Sequence, residues 1–207
     1  MNKFEKESVQ NIYNSISNYF DNSRHYLWPS VKLFLENIPK YSIIGDIGCG
    51  NGKNMMYLPN DYIFIGLDFS IELLKICKNK NLEVFSANNC ILPLKDNCFD
   101  CSISIAVIHH LSTYELRLKA LEEIIRTTDY YGQIMIQVWA FERDYSKKYD
   151  SQDAMIPWKT KNKTYLRYYY LFKENELDEM LNQLKYNIHI VKSYKERDNY
   201  ILIFYKK

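Results

Sequence analysis

The chain has 207 residues, 47% of them hydrophobic and 25% charged, with a formal net charge of +2, enough for one sizeable core and without the excess of positive charge that indiscriminate nucleic-acid binding requires. The opening MNKFEKESVQN has no apolar signal region, and the longest apolar run, Ile103 to Ile108, is far short of the ~20 residues that cross a bilayer, so neither secretion nor membrane spanning is expected. Five cysteines scattered from Cys49 to Cys101 suit reduced thiols in a cytoplasmic protein better than a disulfide framework.

Val9, Ile12, Tyr13, Ile16, Tyr19 and Phe20 fall on one helical face, which predicts an N-terminal helix packing on a sheet as a cover. A second short helix is expected from Pro29, a residue tolerated at the first helical position, through Val31, Phe34, Leu35 and Ile38. Apolar bursts at Ile43 to Ile47, Tyr62 to Leu67, Leu82 to Ala87, Phe99 to Ala106 and Gln133 to Trp139 then read as strands. Amphipathic stretches at Asn51 to Leu58, Ser70 to Lys78 and Thr113 to Thr127 read as helices between them. This alternation predicts an α/β domain of Rossmann-like, doubly wound type with a mostly parallel sheet covered on both faces. After Trp139 the rhythm breaks for about thirty residues, a length at which an irregular insertion is usually functional. A helix around Glu174 to Leu184 follows, then strands Asn187 to Tyr194 and Tyr200 to Tyr205 paired antiparallel. The expected plan is one domain over 1–207: a helical cover (1–40), a nucleotide-binding core (41–139), a substrate-side insertion (140–172) and a C-terminal helix with two strands (173–207).

Five of the six glycines lie between Gly45 and Gly66. In DIGCGNG, Asp46 to Gly52, the first strand runs into Gly48, Gly50 and Gly52, so a ligand can approach bare backbone at the carboxyl edge of the sheet. Asp68 ends the next strand, where a carboxylate can accept both hydroxyls of a ribose. The spacing G-x-G-x-G does not fit the dinucleotide fingerprint G-x-G-x-x-G, whose third glycine is replaced by Lys53. Asp46 would repel a phosphate but suits an amino-acid ammonium. DxGCGxG with Asp68 resembles the class I S-adenosylmethionine-dependent methyltransferases. That resemblance implies S-adenosylmethionine as cofactor, held by Asp46, Gly48, Cys49, Gly50, Asn51, Gly52, Asp68, Phe69 and Ser70. It further places Asn88 at the adenine and Asn89, Ile105 and Ala106 along the cofactor, with seven strands in the sheet.

The acceptor is narrowed by exclusion. No Asn-Pro-Pro-Tyr type segment follows the fourth strand, which reads AVIHHL, and Cys101 lies at the wrong end of that strand for attack on a base carbon. Cys98 and Cys101 form a lone C-x-x-C without a second pair, so no metal is expected. Nearly the full length is similar to the eukaryotic tRNA wobble-uridine methyltransferases that esterify carboxymethyluridine, an activity also found as a domain of a larger human tRNA-modifying protein. The pieces that carry the likeness are Tyr13 with Phe20 and Ser23-Arg24, Trp28-Pro29, DIGCGNGK, SISIAVIHHLS, Trp139-Ala140, Pro157-Trp158, Leu166-Arg167-Tyr168-Tyr169 and Glu196-Arg197-Asp198-Asn199. His25-Tyr26-Leu27 departs from a family tendency to Tyr and Pro before Trp-Pro, and the insertion after Phe141 is short.

A carboxylate acceptor is already ionised at neutral pH and needs placement rather than a general base. Arginines provide the fork that grips it. With only six arginines in a lysine-rich chain, Arg24, Arg167 and Arg197 are the candidate catalytic residues, with some of them converging on the substrate. His109, after the fourth strand, is a further candidate, whereas His110 is expected to pack or cap a helix. Trp28, Trp139, Trp158, Tyr168 and Tyr169 are candidates to hold a flipped wobble base, each against a core-packing alternative. Lys159 to Lys163, beside aromatics, fits a phosphate-tracking run, with a solvated loop as the alternative. The third strand should lie at a sheet edge, and the resemblance implies a heterodimer with a small zinc-binding methyltransferase activator docked along Leu82 to Ala87. Two alternatives stay open: a small-molecule or other RNA O-methyltransferase, and a non-catalytic module that binds S-adenosylmethionine or RNA.

Overall fold

The computed structural model describes residues 3–207. In chain order the strands are β1 (Ile43–Ile47), β2 (Ile63–Asp68), β3 (Val84–Ser86), β4 (Cys101–Ile105), β5 (Ile134–Trp139), β6 (Asp153–Lys159), β7 (Thr164–Tyr170), β8 (Ile188–Glu196) and β9 (Asn199–Lys206). Seven of them form one sheet of order β3-β2-β1-β4-β5-β9-β8. β1 to β5 pair in parallel, and β9 pairs antiparallel with both β5 and β8. The expected mostly parallel seven-stranded sheet with an antiparallel C-terminal strand is therefore what the chain builds. All five residues of β4 are buried, as a central strand covered on both faces requires.

The chain moves outward from β1 to β2 and β3, then returns across β1 to β4. That reversal opens a crevice at the carboxyl ends of β1 and β4, the place where open α/β sheets bind ligands. One face of the sheet is covered by α3 (Pro29–Glu36) and α4 (Ile71–Asn79), with Val31, Phe34, Leu35, Leu74 and Cys77 buried against Ile44, Ile103 and Met135. The other is covered by α5 (Tyr114–Thr127) and α6 (Glu176–Leu181), with Ala120, Leu121, Ile124 and Leu181 packed on Ile134, Ile136 and Phe204. Thr113 caps α5 by accepting the Leu116 N–H at 3.3 Å. Among the described residues no helix is long and apolar enough to cross a membrane.

Three expectations need correction. The N-terminal helix is α1 (Lys3–Glu5), a π-helical turn (Lys6–Gln10) and α2 (Asn11–Ser23). It does not lie on the sheet: Val9, Tyr13 and Ile16 pack with Leu73 of α4 and Tyr168 of β7, while Tyr19 is left half exposed. The helix thus covers the ligand end of the sheet. The stretch Asn51 to Leu58 forms turns rather than a helix. Its asparagines are recruited elsewhere, Asn54 to Asp46 at 3.2 Å and Asn51 to Asp21 and the Arg24 carbonyl at 2.8 and 3.1 Å. Side chains that bond outward in this way compete with helix formation. The insertion is not irregular, because β6 and β7 form an antiparallel hairpin in a separate two-stranded sheet, turned at Thr160 and Lys163. Lys159 to Lys163 is its tip.

Candidate active site

The crevice is a cavity of about 670 Å³. Its floor is the glycine turn. Gly48 and Gly50 sit at φ +86° and +57°, a region that L side chains avoid. A Cβ on Gly48 would lie 2.4 Å from Val107 Cγ2, whereas one on Gly50 would meet only the Phe20 ring at 3.5 Å. Gly48 therefore lets the turn close onto the strand end, and Gly50 leaves backbone open to the cavity. Asp68 is locked by the turn: its Oδ2 accepts the Gly50 N–H at 2.9 Å and its Oδ1 the Ser70 N–H at 2.8 Å. Burial raises its pKa, against the pull of those N–H groups. Ala106, at the end of β4, holds φ +62° in the same wall, a conformation that costs a non-glycine residue about 1 kcal/mol or more.

Asp46 is fully buried and lies behind this wall rather than in it. Asn54 donates to its Oδ2, and its Oδ1 has no partner. Burial, with the charge of Asp68 added, pushes its pKa up to about 7. A buried acid with one oxygen unpartnered beside bare backbone is relieved by a cation, and Asp68 presents a second carboxylate to the cavity at the end of β2. The donor set therefore fits a nucleoside that carries positive charge.

Of the sequence-derived cofactor residues, Gly48, Cys49, Gly50, Asn51, Asp68, Phe69, Asn88, Asn89, Ile105 and Ala106 line the cavity. Asp46, Gly52 and Ser70 do not. Gly52 is pressed against Leu82, and Ser70 is the N-cap of α4. Of the sequence-derived catalytic and substrate candidates, Arg24, Trp28, Trp139, Arg167, Tyr169 and Arg197 line it, while His109, Trp158 and Tyr168 stand behind. Trp158 backs the arginines, its ring 4.8 Å from the Arg167 guanidinium and 5.5 Å from that of Arg24. Tyr168 holds the hairpin instead, bonding the Asp153 carboxylate and the Ser112 carbonyl.

Arg167 is only 4% exposed, yet it has no carboxylate partner among the described residues. Its Nη1 donates to the hydroxyls of Tyr169 (2.7 Å) and Tyr13 (3.1 Å), and its Nε is unpartnered. The polarity of the adjoining bonds follows from chemistry. A carbonyl only accepts, so His110 carries its proton on Nδ1 toward the Tyr168 carbonyl at 2.8 Å. Its Nε2 then accepts from the Tyr13 hydroxyl at 2.9 Å. Burial lowers the His110 pKa to about 3, so the ring is neutral. His109 is fully buried, stacked 4.7 Å from Tyr169, and its Nδ1 accepts the Trp139 N–H at 3.2 Å. Burial, then His110 and the arginines, hold its pKa well below the usual histidine value.

Tyr13, Lys53, His110 and Arg143 line the cavity without having been singled out as site residues. Tyr13 stands out in the sequence as part of an apolar helix face and of the family likeness, neither of which assigns it a role, and nothing local marks Arg143. Five cationic side chains, Arg24, Lys53, Arg143, Arg167 and Arg197, line the cavity together with three acidic ones, Glu5, Asp68 and Asp198. The excess favours an anionic ligand in the cavity.

Residues 45–136 match the family model described as a methyltransferase domain. A Schizosaccharomyces pombe protein named tRNA (carboxymethyluridine(34)-5-O)-methyltransferase is 36% identical over 203 residues, covering 86% of this chain and 88% of its own length. A Xenopus tropicalis protein named tRNA (carboxymethyluridine(34)-5-O)-methyltransferase alkbh8 is 32% identical across 98% of this chain, which spans 41% of that longer relative. Among solved structures, a Haloferax volcanii putative methyltransferase in complex with the Trm112 methyltransferase activator shares the fold, with a TM-score of 0.74 at 14% identity, covering 96% of this chain and 97% of that one.

Proposed function

The chain belongs to the tRNA (carboxymethyluridine(34)-5-O)-methyltransferase family, and from that premise we propose that it methylates the carboxylate of carboxymethyluridine at the anticodon wobble position of tRNA. The observation that carries this reading is Arg167, a buried guanidinium that faces the cavity with no acid of its own. S-adenosylmethionine supplies an electrophilic methyl group from its sulfonium. The glycine turn, Asp68, Asn88 and Asn89 would hold it, with Asp46 behind the turn to balance its positive charge.

The acceptor, with a pKa near 4, is an anion at neutral pH, and no side chain need remove a proton. Arg167 and the Tyr169 hydroxyl hold one carboxylate oxygen and leave the other free for in-line attack. Two tyrosines already share Nη1, which keeps the grip from stabilising the anion too strongly against reaction. Methyl transfer cancels one negative and one positive charge, so a cavity walled by Ile105, Val107 and Leu111 favours the less charged transition state. Trp139, half-buried in the cavity wall and backed by the buried Tyr169 ring at 4.5 Å and 35°, offers aromatic surface for the extracted uracil. Arg24 and Arg197, both exposed, face the incoming RNA.

β3 is the outermost strand, with Phe85 on it and Ile63 and Ile91 nearby more than half exposed. This free apolar edge is the seat of a small zinc-binding activator, added as a further strand. Cysteines without disulfides accord with a cytoplasmic setting. The reading is tested by incubating the protein with labelled S-adenosylmethionine and tRNA carrying carboxymethyluridine, then applying mild alkali. Label released by alkali is expected; label that survives rules out an ester. Full activity of the monodisperse lone chain, unchanged by the activator, rules out the heterodimer.

A further inference from the structure

Arg143 is 7% exposed and lines the cavity. Its guanidinium lies 4.4 Å over the Trp139 ring. Nε donates to Ser146 Oγ at 2.6 Å, Nη2 to Asp198 Oδ2 at 3.3 Å, and Nη1 is buried without a partner. Asp198, in the β8–β9 turn, is shared further: it accepts the N–H groups of Asp144 (2.8 Å) and Tyr145 (3.1 Å) and bonds the Ser146 hydroxyl. One carboxylate thus serves four donors from residues 143–146 and compensates Arg143 only in part. A buried guanidinium with an unmet N–H is costly until an anion completes it.

We infer that Arg143, positioned by Asp198, binds a backbone phosphate of the RNA beside the flipped base on Trp139. This inference rests on the tRNA reading above and extends it. The substrate carboxylate is not the occupant, because it is assigned to Arg167, a buried guanidinium whose Nη1 meets only two tyrosine hydroxyls and no carboxylate among the described residues. Arg143 already gives two of its three nitrogens to the protein, leaving a single donor edge that suits one oxygen of a phosphodiester. It also sits beside exposed Arg197 and beside Tyr145, which is 79% exposed, on the rim by which a strand would leave.

The test compares Arg143→Met, which keeps the stem over Trp139, with Arg143→Lys and Asp198→Asn. Substrates are an anticodon stem-loop carrying carboxymethyluridine and the free carboxymethyluridine nucleoside. Calorimetric affinity for S-adenosylmethionine reports folding. For Arg143→Met the loss in kcat/KM is expected to be at least about fivefold larger with the stem-loop than with the nucleoside and to fall on KM, as loss of a phosphate contact does. The slope of log KM against log salt should shrink by about 0.7, the contribution of one single-strand phosphate. Arg143→Lys should restore the slope and part of the KM; Asp198→Asn should raise KM with the slope retained, since the charge remains. Equal losses on both substrates, or an unchanged salt slope, overturn the inference. Should Arg143→Met fail to fold, Arg143→Lys with no KM change on the stem-loop overturns it equally. If the wild type does not esterify the stem-loop but Arg143→Met still weakens its binding by fluorescence anisotropy, the catalytic reading fails and the phosphate site stands.

Discussion

The two halves of the cavity are made differently. The cofactor half is built from backbone and strand ends between Gly45 and Val107, with Gly50 and Asp68 joined by one 2.9 Å bond. The substrate half is built from side chains that meet only after folding: Tyr13 and Arg167 are separated by 154 positions, Arg143 and Asp198 by 55. A cradle of main chain tolerates change in its side chains but not in its conformation. A pocket of converging side chains fails one group at a time, so the two halves should break in distinguishable ways.

The largest effect is expected at Arg167. Arg167→Met should lower kcat/KM for tRNA by about a hundredfold or more, as loss of a buried charge-assisted contact does. Affinity for S-adenosylmethionine should stay within a few-fold by calorimetry. Arg167→Lys should recover little, because the fork is lost although the charge remains. If both variants turn over normally, Arg167 does not hold the acceptor.

Gly48→Ala strikes the other half. The positive φ and the 2.4 Å approach to Val107 should destabilise the fold by about 2 kcal/mol and lower Tm by about 4–8 °C. Cofactor affinity should fall in the same variant, whereas Arg167→Met should leave it nearly intact. Parallel behaviour of the two variants would mean that the two halves of the cavity do not fail separately.

A smaller, pH-dependent effect separates Asp46 from His110. Asp46 has a folded pKa of about 7, above its unfolded value, so its contribution to stability is complete at low pH and is lost as pH rises through 7. A cation drawn toward it favours the ionised form. S-adenosylmethionine affinity should therefore climb between about pH 5 and pH 7, with proton release seen as a buffer-dependent binding enthalpy, and Asp46→Asn should abolish both. His110 has the opposite sign. Its folded pKa of about 3 lies below the unfolded one, so it costs stability as pH falls from about 6.5 toward 3. Neither buried histidine should produce an inflection in kcat between pH 6 and 8. Smallest of all, Tyr13→Phe removes the donor to His110 and one acceptor of Arg167, and turnover should drop about three- to tenfold.

The same contrast explains what could be read in advance. The glycine turn, Asp68 and the parallel strands were legible because their signals are local: spacing, strand-length apolar runs and an acid at a strand end. The β6–β7 hairpin was hidden because β7 is covered on two sides, Tyr168 against the N-terminal helix and Tyr169 against Trp139, so no alternation marks it. Asn51 to Leu58 has helical periodicity, but its asparagines bond to distant acids. Of the two adjacent histidines, position after β4 favoured His109, yet the 3₁₀ turn Ile108–His110 brings His110 to the cavity and tucks its neighbour behind. Arg143 owes its place to a carboxylate 55 positions away, and no local pattern encodes that.

β9 runs against its neighbours, and this reversal has a consequence for how the protein can diversify. A connection of two residues, Arg197 and Asp198, is enough to return the chain at the ligand end of the sheet. Such a tip is topologically shallow. Its residues can be exchanged without threading a new crossover or disturbing the five parallel strands, so acceptor choice can drift while the seat of the methyl donor stays constant.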